Sequence, residues 1–438
     1  MTRSAAIQLA LILLLLRLFA GVARASSIYT PNTIGLSPRA TALANALGGE
    51  ADDVAAHYLN PAGLAVTDHT EFLASYAYTM PRLVGGLADG QTVHERASNH
   101  LVILGLRLDL DALAGPRLKL PPLGWGFSVA VDRNFGTMMI FDDVRSDDGE
   151  FDRWGEANMT MQSALGIGVA PHVALGIGFH GGFRGDGIVE TRAEVSGGTS
   201  NEGTRMRGSF SPKPLYGAYV YGEGWGVGAT YREETWGSFE AIEVTADPTV
   251  AGLPFPTMNI PMNFLDTYVP RDVTLGMHWD APGGVRVLAD GSWRQWSHYE
   301  EVAARSHFAG SHSEYDTVDV WIPRAAAEWT IDDQWTARAG YRFEPTPFRT
   351  IGTRFPESGT TIRGKVILDA DTHVMGGGVG WRPPIADWFR VPLRIDATYQ
   401  YHALVPRRAA TSDGHDYDAR GGVHLLHGGL LFGGSPAE

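Results

Sequence analysis

Side chains that could do covalent chemistry are few and poorly placed in this chain. His312, Ser313 and Asp316 would supply a base, a nucleophile and an acid, but they sit in a polar stretch with no element to hold them. No G-x-S-x-G elbow and no H-E-x-x-H pair occurs, so neither acyl transfer nor zinc-assisted hydrolysis has its framework. The acidic run FDDVRSDDGEFDRWGE, residues 141–156, misses the calcium-loop spacing and reads as a solvated loop. There is no cysteine, which removes thiolate chemistry and disulfides and suits an oxidising compartment. We expect no catalytic residue, no metal site and no cofactor.

The remaining reactive groups are arginines and carboxylates that alternate with apolar residues. In DQWTARAGYRFE, Trp335, Ala337, Ala339, Tyr341 and Phe343 point one way, and Thr336, Arg338, Gly340, Arg342 and Glu344 the other. VPLRIDATYQYH sets Leu393, Ile395, Ala397, Tyr399 and Tyr401 against Arg394, Asp396, Thr398, Gln400 and His402. GVRVLADGSWRQW sets Val285, Val287, Ala289, Gly291 and Trp293 against Arg286, Leu288, Asp290, Ser292 and Arg294. RDVTLGMHWD sets Val273, Leu275, Met277 and Trp279 against Asp272, Thr274, Gly276, His278 and Asp280.

Runs of 9 to 12 residues match a tilted strand crossing a bilayer, and Trp at the ends of the apolar face fits the interfaces. A soluble β-sandwich shares the alternation but explains neither the strand lengths nor the Trp positions. The polar face would line a lumen. Arg286, Asp290, Arg294, Arg338, Arg342, Arg394 and Asp396 would then form a paired network with Glu328 and Glu344.

Fifteen segments read as strands: those four and the stretches near 70–79, 99–109, 122–132, 160–170, 173–184, 213–222, 224–233, 237–246, 318–329, 371–382 and 419–431. A single-chain bacterial barrel takes an even number. The weakest is 237–246, so the expected fold is an all-β, transmembrane antiparallel barrel of fourteen strands. Short links such as Ala281–Gly284 and Ile331–Asp333 oppose long polar ones near 141–157, 185–210 and 345–368. Between Thr245 and Val269 an apolar, proline-rich connection carries Val250, Leu253, Phe255, Met258, Ile260, Met262, Phe264 and Leu265. It reads as a loop, either folded on itself over the mouth or offered as a greasy landing surface.

The N-terminus adds a compartment. Arg3 precedes an apolar run from Ala5 to Val22, broken by Arg17 and ended by Ala23-Arg24-Ala25, which reads as a signal peptide over 1–25. Its loss moves the formal charge from -14 to -17, and no basic face is left for nucleic acid. Residues 26–68 are small and interrupted by Pro61 and Gly63, too poor for a core of their own; they are expected inside or against the barrel of 69–438. Gly makes up 54 of 438 residues without a three-residue period, which points to close backbone approaches in a closed sheet.

ADDVAAHYLNPAGLA, residues 51–65, resembles the signature of the long-chain fatty acid and aromatic hydrocarbon transporters of Gram-negative outer membranes (the FadL/TodX-like family). The matching positions are Asp52, Asp53, Ala55, Ala56, Tyr58, Asn60, Pro61, Ala62, Gly63 and Leu64. VPRDVTLGMHWD, Trp293-Arg294-Gln295-Trp296, DDQWTARAGYRFEPTPF and DADTHVMGGGVGW follow in the family's order, so the likeness spans the mature chain. The resemblance implies a 14-stranded monomeric barrel plugged by an N-terminal hatch. It implies passive uptake of a fatty acid, aromatic hydrocarbon or other lipid-like ligand from an outer membrane rich in lipopolysaccharide. Cargo would bind near the outer mouth, move to a pocket gated by Asn60, Pro61 and Ala62 with Gly63 and Leu64, and leave sideways through a kinked third strand, here LGWGFSVAVDR. Competing readings are a diffusion porin, a structural or adhesion barrel, and an outer-membrane lipid hydrolase.

Overall fold

A computed structural model describes residues 29–50, 52–66, 69–86, 92–95, 98–114, 121–132, 159–193, 199–246, 249–250, 253–254, 258–299, 317–349, 369–384, 392–410 and 416–433. The signal peptide, the acidic run at 141–156, Phe255 and the His312–Ser313–Asp316 group lie outside the described residues.

Fourteen strands close a ring: β1 (Glu71–Gly86), β2 (Asn99–Asp109), β3 (Leu123–Asp132), β4 (Thr160–Ala170), β5 (Val173–Ala193), β6 (Thr199–Gly222), β7 (Trp225–Arg232), β8 (Arg271–Ala281), β9 (Val285–Gln295), β10 (Val320–Thr330), β11 (Trp335–Glu344), β12 (Thr372–Trp381), β13 (Leu393–Ala410) and β14 (Asp416–Gly433). Each is antiparallel to the next, β7 pairs directly with β8, and β14 returns to β1 from Glu71↔Gly433 to Gly86↔Asp418. Closure leaves no sheet edge for hydrocarbon to meet.

The alternation read from the sequence sets the two faces. On β8, Leu275, Met277 and Trp279 are exposed while Asp272, Thr274 and His278 are buried. On β11, Trp335 and Tyr341 are exposed and Arg338 and Arg342 buried. Large apolar side chains pointing outward around a closed barrel are a hydrocarbon-facing surface. Trp marks its lower rim, beside the short turns. Trp225 stands opposite Trp279, and Trp335 stacks on Trp381 with centroids 5.7 Å apart. Trp293, opposite Trp321, is six residues above Val287, the partner of Trp279, or roughly 20 Å at the rise of an antiparallel strand.

Two long connections are strands rather than loops. β5 and β6 stay paired out to Ala193↔Thr199, so most of 185–210 is a hairpin rising beyond the barrel. Thr235–Ala246 and Met258–Val269 form a second hairpin, from Thr235↔Val269 to Ala246↔Met258, whose first strand also lies parallel to β5. The segment 237–246 is therefore extended but stands outside the ring, and the count is fourteen. The prolines misdirect the reading of 245–269. Pro261 sits within the strand opposite Glu243, which an outer hairpin tolerates better than a central strand. Met258, Ile260, Met262 and Phe264 have their backbones in this hairpin.

An arginine at Leu275, on the exposed face between the Trp rims, should cost about 2–4 kcal/mol. Gly291→Ala on the same face, where an added Cβ meets nothing within 4 Å, should cost little. Equilibrium unfolding of the two variants in lipid vesicles checks the pair.

Candidate functional site: the hatch and the outer mouth

Residues 29–66 occupy the lumen as a chain of very short pieces. They are α1 (Thr30–Thr33), α2 (Pro38–Ala42), α3 (Ala56–Leu59) and a 3-10 turn over Pro61–Ala65. Each piece has a local cause. Pro31, Pro38 and Pro61 start their turns, where a missing N–H costs nothing. The Ser37 hydroxyl caps α2 by accepting from Ala40 N–H at 3.0 Å, and the Asn60 Oδ1 caps the 3-10 turn by accepting from Ala62 N–H at 3.2 Å. Such pieces make almost no core of their own, so Leu43, Leu47, Tyr58 and Leu59 pack with the wall residues Ile103, Ala130, Leu215 and Leu288.

Irregular backbone leaves many carbonyls without partners, and barrel side chains supply them. Arg232 donates from Nε to Tyr58 O at 3.0 Å and from Nη2 to Leu59 O at 3.1 Å. Thr398 donates to Pro38 O, Gln400 to Thr41 O and Arg342 to Thr33 O, each at 2.8 Å. Gly48 N–H donates to Asp290 Oδ2 at 2.8 Å. Asn60 joins hatch to wall as well as capping its turn, with Nδ2 on Gly48 O at 3.0 Å and on Ala218 O at 3.2 Å.

The approach is close because the wall is glycine where the hatch touches it. A Cβ at Gly166 would lie 2.5 Å from Pro61 O, and one at Gly126 2.6 Å from the His57 Cβ. Additions at Gly176, Gly217, Gly276 and Gly340 would overlap Pro61, Asn60, Gly49 and Leu43. Pro61, Ala62, Gly63 and Leu64 are all buried against this bed. Among the described residues the hatch therefore lies directly against the wall. A cavity of single-water size lies between Asn32, Asn45 and Gly48 of the hatch and Arg232, Thr274, Asp290 and Arg324 of the wall, too small for an acyl chain.

The lumen arginines fall into two groups. In the first, Arg39 of the hatch meets Glu50 at 3.0 Å, Asp52 at 2.5 Å and Glu328 at 2.9 Å. Arg286 joins Asp280 and Glu50, and Arg338 bridges Glu328 at 2.5 Å to Asp396 at 2.6 Å, with Arg394 on Asp396 at 2.9 Å. In the second, Asp272 takes Arg232 at 2.5 Å and Arg294 at 3.1 Å, and Arg294 reaches Glu344 at 2.8 Å. Asp290 is held on the hatch backbone at Gly48, while Arg342 holds Thr33 O and pairs with Glu344 at 3.4 Å. Sequence reading missed Arg39 and Glu50. The available signal was that the hatch carries Glu50, Asp52 and Asp53 against few bases of its own while the wall strands present a row of arginines.

At the outer mouth, Tyr268, Trp296, Tyr299 and Phe348 form an aromatic cluster. Centroids are 5.1 Å apart for Tyr268–Tyr299, 5.6 Å for Tyr268–Trp296 and 5.8 Å for Trp296–Phe348. Thr317 holds the Trp296 carbonyl at 2.9 Å and Arg407 the Phe348 carbonyl at 2.7 Å. These rings come from three separate connections, so no run in the sequence announces them. Among the described residues, no group of three or more His, Asp or Glu is placed to hold a metal ion.

Replacing Asn60 with Ala should cost about 1–3 kcal/mol, because buried partners on Gly48 and Ala218 lose their donor. The hatch amides should then exchange faster in hydrogen–deuterium exchange. His57 gives a pH handle. Burial pushes its pKa down to about 4, with its Nε2 2.6 Å from the Ser128 hydroxyl. The unfolded chain binds a proton near pH 6.5 and the folded hatch resists it, so stability is full above pH 6.5 and falls as pH drops toward 4. The loss approaches roughly 3 kcal/mol over that window. Hatch exchange should therefore quicken at pH 4.5, and His57→Gln should weaken that dependence.

No family model matches the chain. It is 23% identical over 425 residues to Alkane uptake protein A of Marinobacter nauticus, covering 90% of this chain and 89% of that protein. In structure it is similar to a Pseudomonas aeruginosa FadL homologue, at TM-score 0.57 and 16% identity, over 94% of this chain and 99% of that one. It is also similar to the P. putida toluene transporter TodX, at TM-score 0.51 and 11% identity, over 92% and 98%. In fold the chain is similar to both of these outer-membrane barrels over more than nine-tenths of its length.

Proposed function

We propose that this barrel takes up uncharged apolar molecules, alkanes first among them, passively across the outer membrane. Cargo collects at the outer mouth, on the cluster of Tyr268, Trp296, Tyr299 and Phe348 and on the proline-rich hairpin carrying Phe255, Met258, Ile260, Met262 and Phe264. It then meets the hatch, where Asn60, Pro61, Ala62, Gly63 and Leu64 act as the gate, and leaves sideways into hydrocarbon. The observation that carries the reading is a lumen filled by a hatch with its backbone hydrogen-bonded to the wall, below a mouth lined with packed aromatic rings. A water-filled porin needs an open constriction, and among the described residues the hatch packs directly on the wall. Transfer from a dilute aqueous phase to aromatic surface and on to the bilayer is downhill for an apolar solute, so no energy source is required.

The choice of an uncharged cargo over a fatty acid rests on the arginines. Arg286, Arg294, Arg338 and Arg394 each hold a protein carboxylate. At any of these four, a cargo carboxylate would have to displace a buried partner, at the cost of leaving a charge uncompensated. The similarity to an alkane uptake protein supports the same choice.

The test is accumulation of radiolabelled n-hexadecane, toluene and oleate by cells whose only such barrel is this chain. Hexadecane uptake well above empty-vector cells, lowered about tenfold by Trp296→Ser with Phe348→Ser, is the expected result. Oleate uptake exceeding hexadecane would overturn the uncharged-cargo reading, and free ion conductance of the purified wild type in planar bilayers would point to a porin.

A further inference from the structure

On the outward face of the barrel, three histidines are each held in the same way by a neighbouring strand. His100 on β2 stands opposite Tyr78 and is hydrogen-bonded to the Tyr76 hydroxyl. His373 on β12 stands opposite Phe343, with its Nδ1 2.8 Å from the Tyr341 hydroxyl. His424 on β14 stands opposite Tyr401, with its Nδ1 2.7 Å from the Tyr399 hydroxyl. The facing rings are 4.7, 5.0 and 4.9 Å apart at their centroids, tilted by 42°, 43° and 39°. Such a unit is apolar in body and polar at its tip, which suits the border of a bilayer. His100 and His373 come at the start of their descending strands, and His424 faces Met80, close along β1 to Tyr78. The three units therefore mark the outer rim.

What stands above these units differs around the ring. Two of them flank the β14–β1 seam, and exposed arginines rise over that seam. Arg82 is opposite Gly422, Arg420 is opposite Val84, and Arg408 on β13 is opposite Asp418. The three form a diagonal across β1, β14 and β13, each step roughly 7–8 Å at the backbone. Among the described residues, Asp418 is the carboxylate in ion-pair range of them, 3.7 Å from the Arg420 Nε. The floor beside Arg82 is low, because Gly422 and Ala403 share that rung and a Cβ at Gly422 would lie 2.4 Å from the Tyr401 hydroxyl. Below the floor, Leu426, Leu430 and Phe72 are exposed to hydrocarbon. Other parts of the rim carry different charge. Arg271 is paired to Glu233 at 2.8 Å, Asp319 precedes Trp321 on the approach to β10, and Asp371 precedes His373.

We propose that the outer rim of β13, β14, β1 and β2 is a binding site for the phosphorylated headgroup of one lipopolysaccharide molecule. Its lipid A phosphates lie on Arg82, Arg420 and Arg408, over the floor at Gly422, and its acyl chains run down past Leu426 and Leu430. Guanidinium groups match phosphate through paired N–H donors, and arginines at a membrane border attract anionic lipid. A local excess of positive charge on a chain of net charge -14 selects for an anion at that place. The Nδ1 of His424 is taken by Tyr399, so its Nε2 is the nitrogen that meets the headgroup just below the arginines. The site faces the membrane and not the lumen, so it stands whether or not the barrel carries alkanes.

Native mass spectrometry of the detergent-purified mature barrel tests this, with diphosphorylated lipid A, dephosphorylated lipid A and phosphatidylglycerol as probes. One diphosphorylated lipid A per barrel is expected, and Arg82→Gln with Arg420→Gln should weaken its binding about 30-fold. His424→Ala, which keeps all three arginines, should weaken it about threefold. Arg271→Gln, on the rim at β8, should bind as the wild type does. Heat-modified electrophoresis confirms that each variant is a folded barrel. Undiminished binding by the double arginine variant, or an equal loss in Arg271→Gln, would overturn the proposal. Equal retention of dephosphorylated lipid A or phosphatidylglycerol would refute the headgroup assignment. Displacement of lipid A by millimolar inorganic phosphate would reduce the site to a simple anion site and refute it as well.

Discussion

A backbone N–H or C=O with no partner inside a bilayer costs several kcal/mol, and this requirement organises the whole molecule. It closes fourteen strands into a ring, since any open edge would face lipid. It also governs the hatch, which is too irregular to satisfy its own carbonyls. Arg232, Arg342, Thr398 and Gln400 reach inward from three strands to do so. The lumen is polar chiefly because the plug it holds is backbone-rich.

Close seating then follows from glycine. Gly126, Gly166, Gly176, Gly217, Gly276 and Gly340 put no wall side chain between wall and hatch, so hatch atoms sit directly on the wall backbone. The ion pairs around Arg39 add position more than stability. Buried pairs roughly repay their desolvation, but removing one partner is expensive, so the network penalises a misplaced hatch. Hydrogen bonds, glycine contacts and charge pairs thus favour one seat among the many a small-residue segment could adopt.

On the proposed function, that seat makes the barrel a gated route rather than an open pore. A single-water cavity at the hatch admits no hydrocarbon, while the aromatic cluster above it is a place for one to collect. An apolar molecule in such a barrel gains nothing by crossing to the aqueous far side. The hydrophobic effect favours its departure into the surrounding membrane, which is the exit the proposed function assigns to it.

Much of this was legible in the chain itself. Period-two alternation identified the strands and which face of each meets lipid, because a strand's side chains alternate whatever surrounds them. Parity at Arg338, Arg342 and Asp396, and at Leu275, Met277 and Trp279, is the same in sequence and structure. The Asn-Pro-Ala run showed where the hatch turns, since Asn caps and Pro starts a turn locally. Other features depended on which distant residues became neighbours. Pro254 and Pro261 made 245–269 read as a loop, yet 258–269 is extended because Thr235–Ala246 lies beside it. That Arg39 would meet Glu328, or Trp296 meet Phe348, depends on ring closure and hatch docking. Local sequence determines periodicity, facing and turns; only the closed tertiary structure decides partners separated by hundreds of residues, because nothing in the intervening chain encodes their distance.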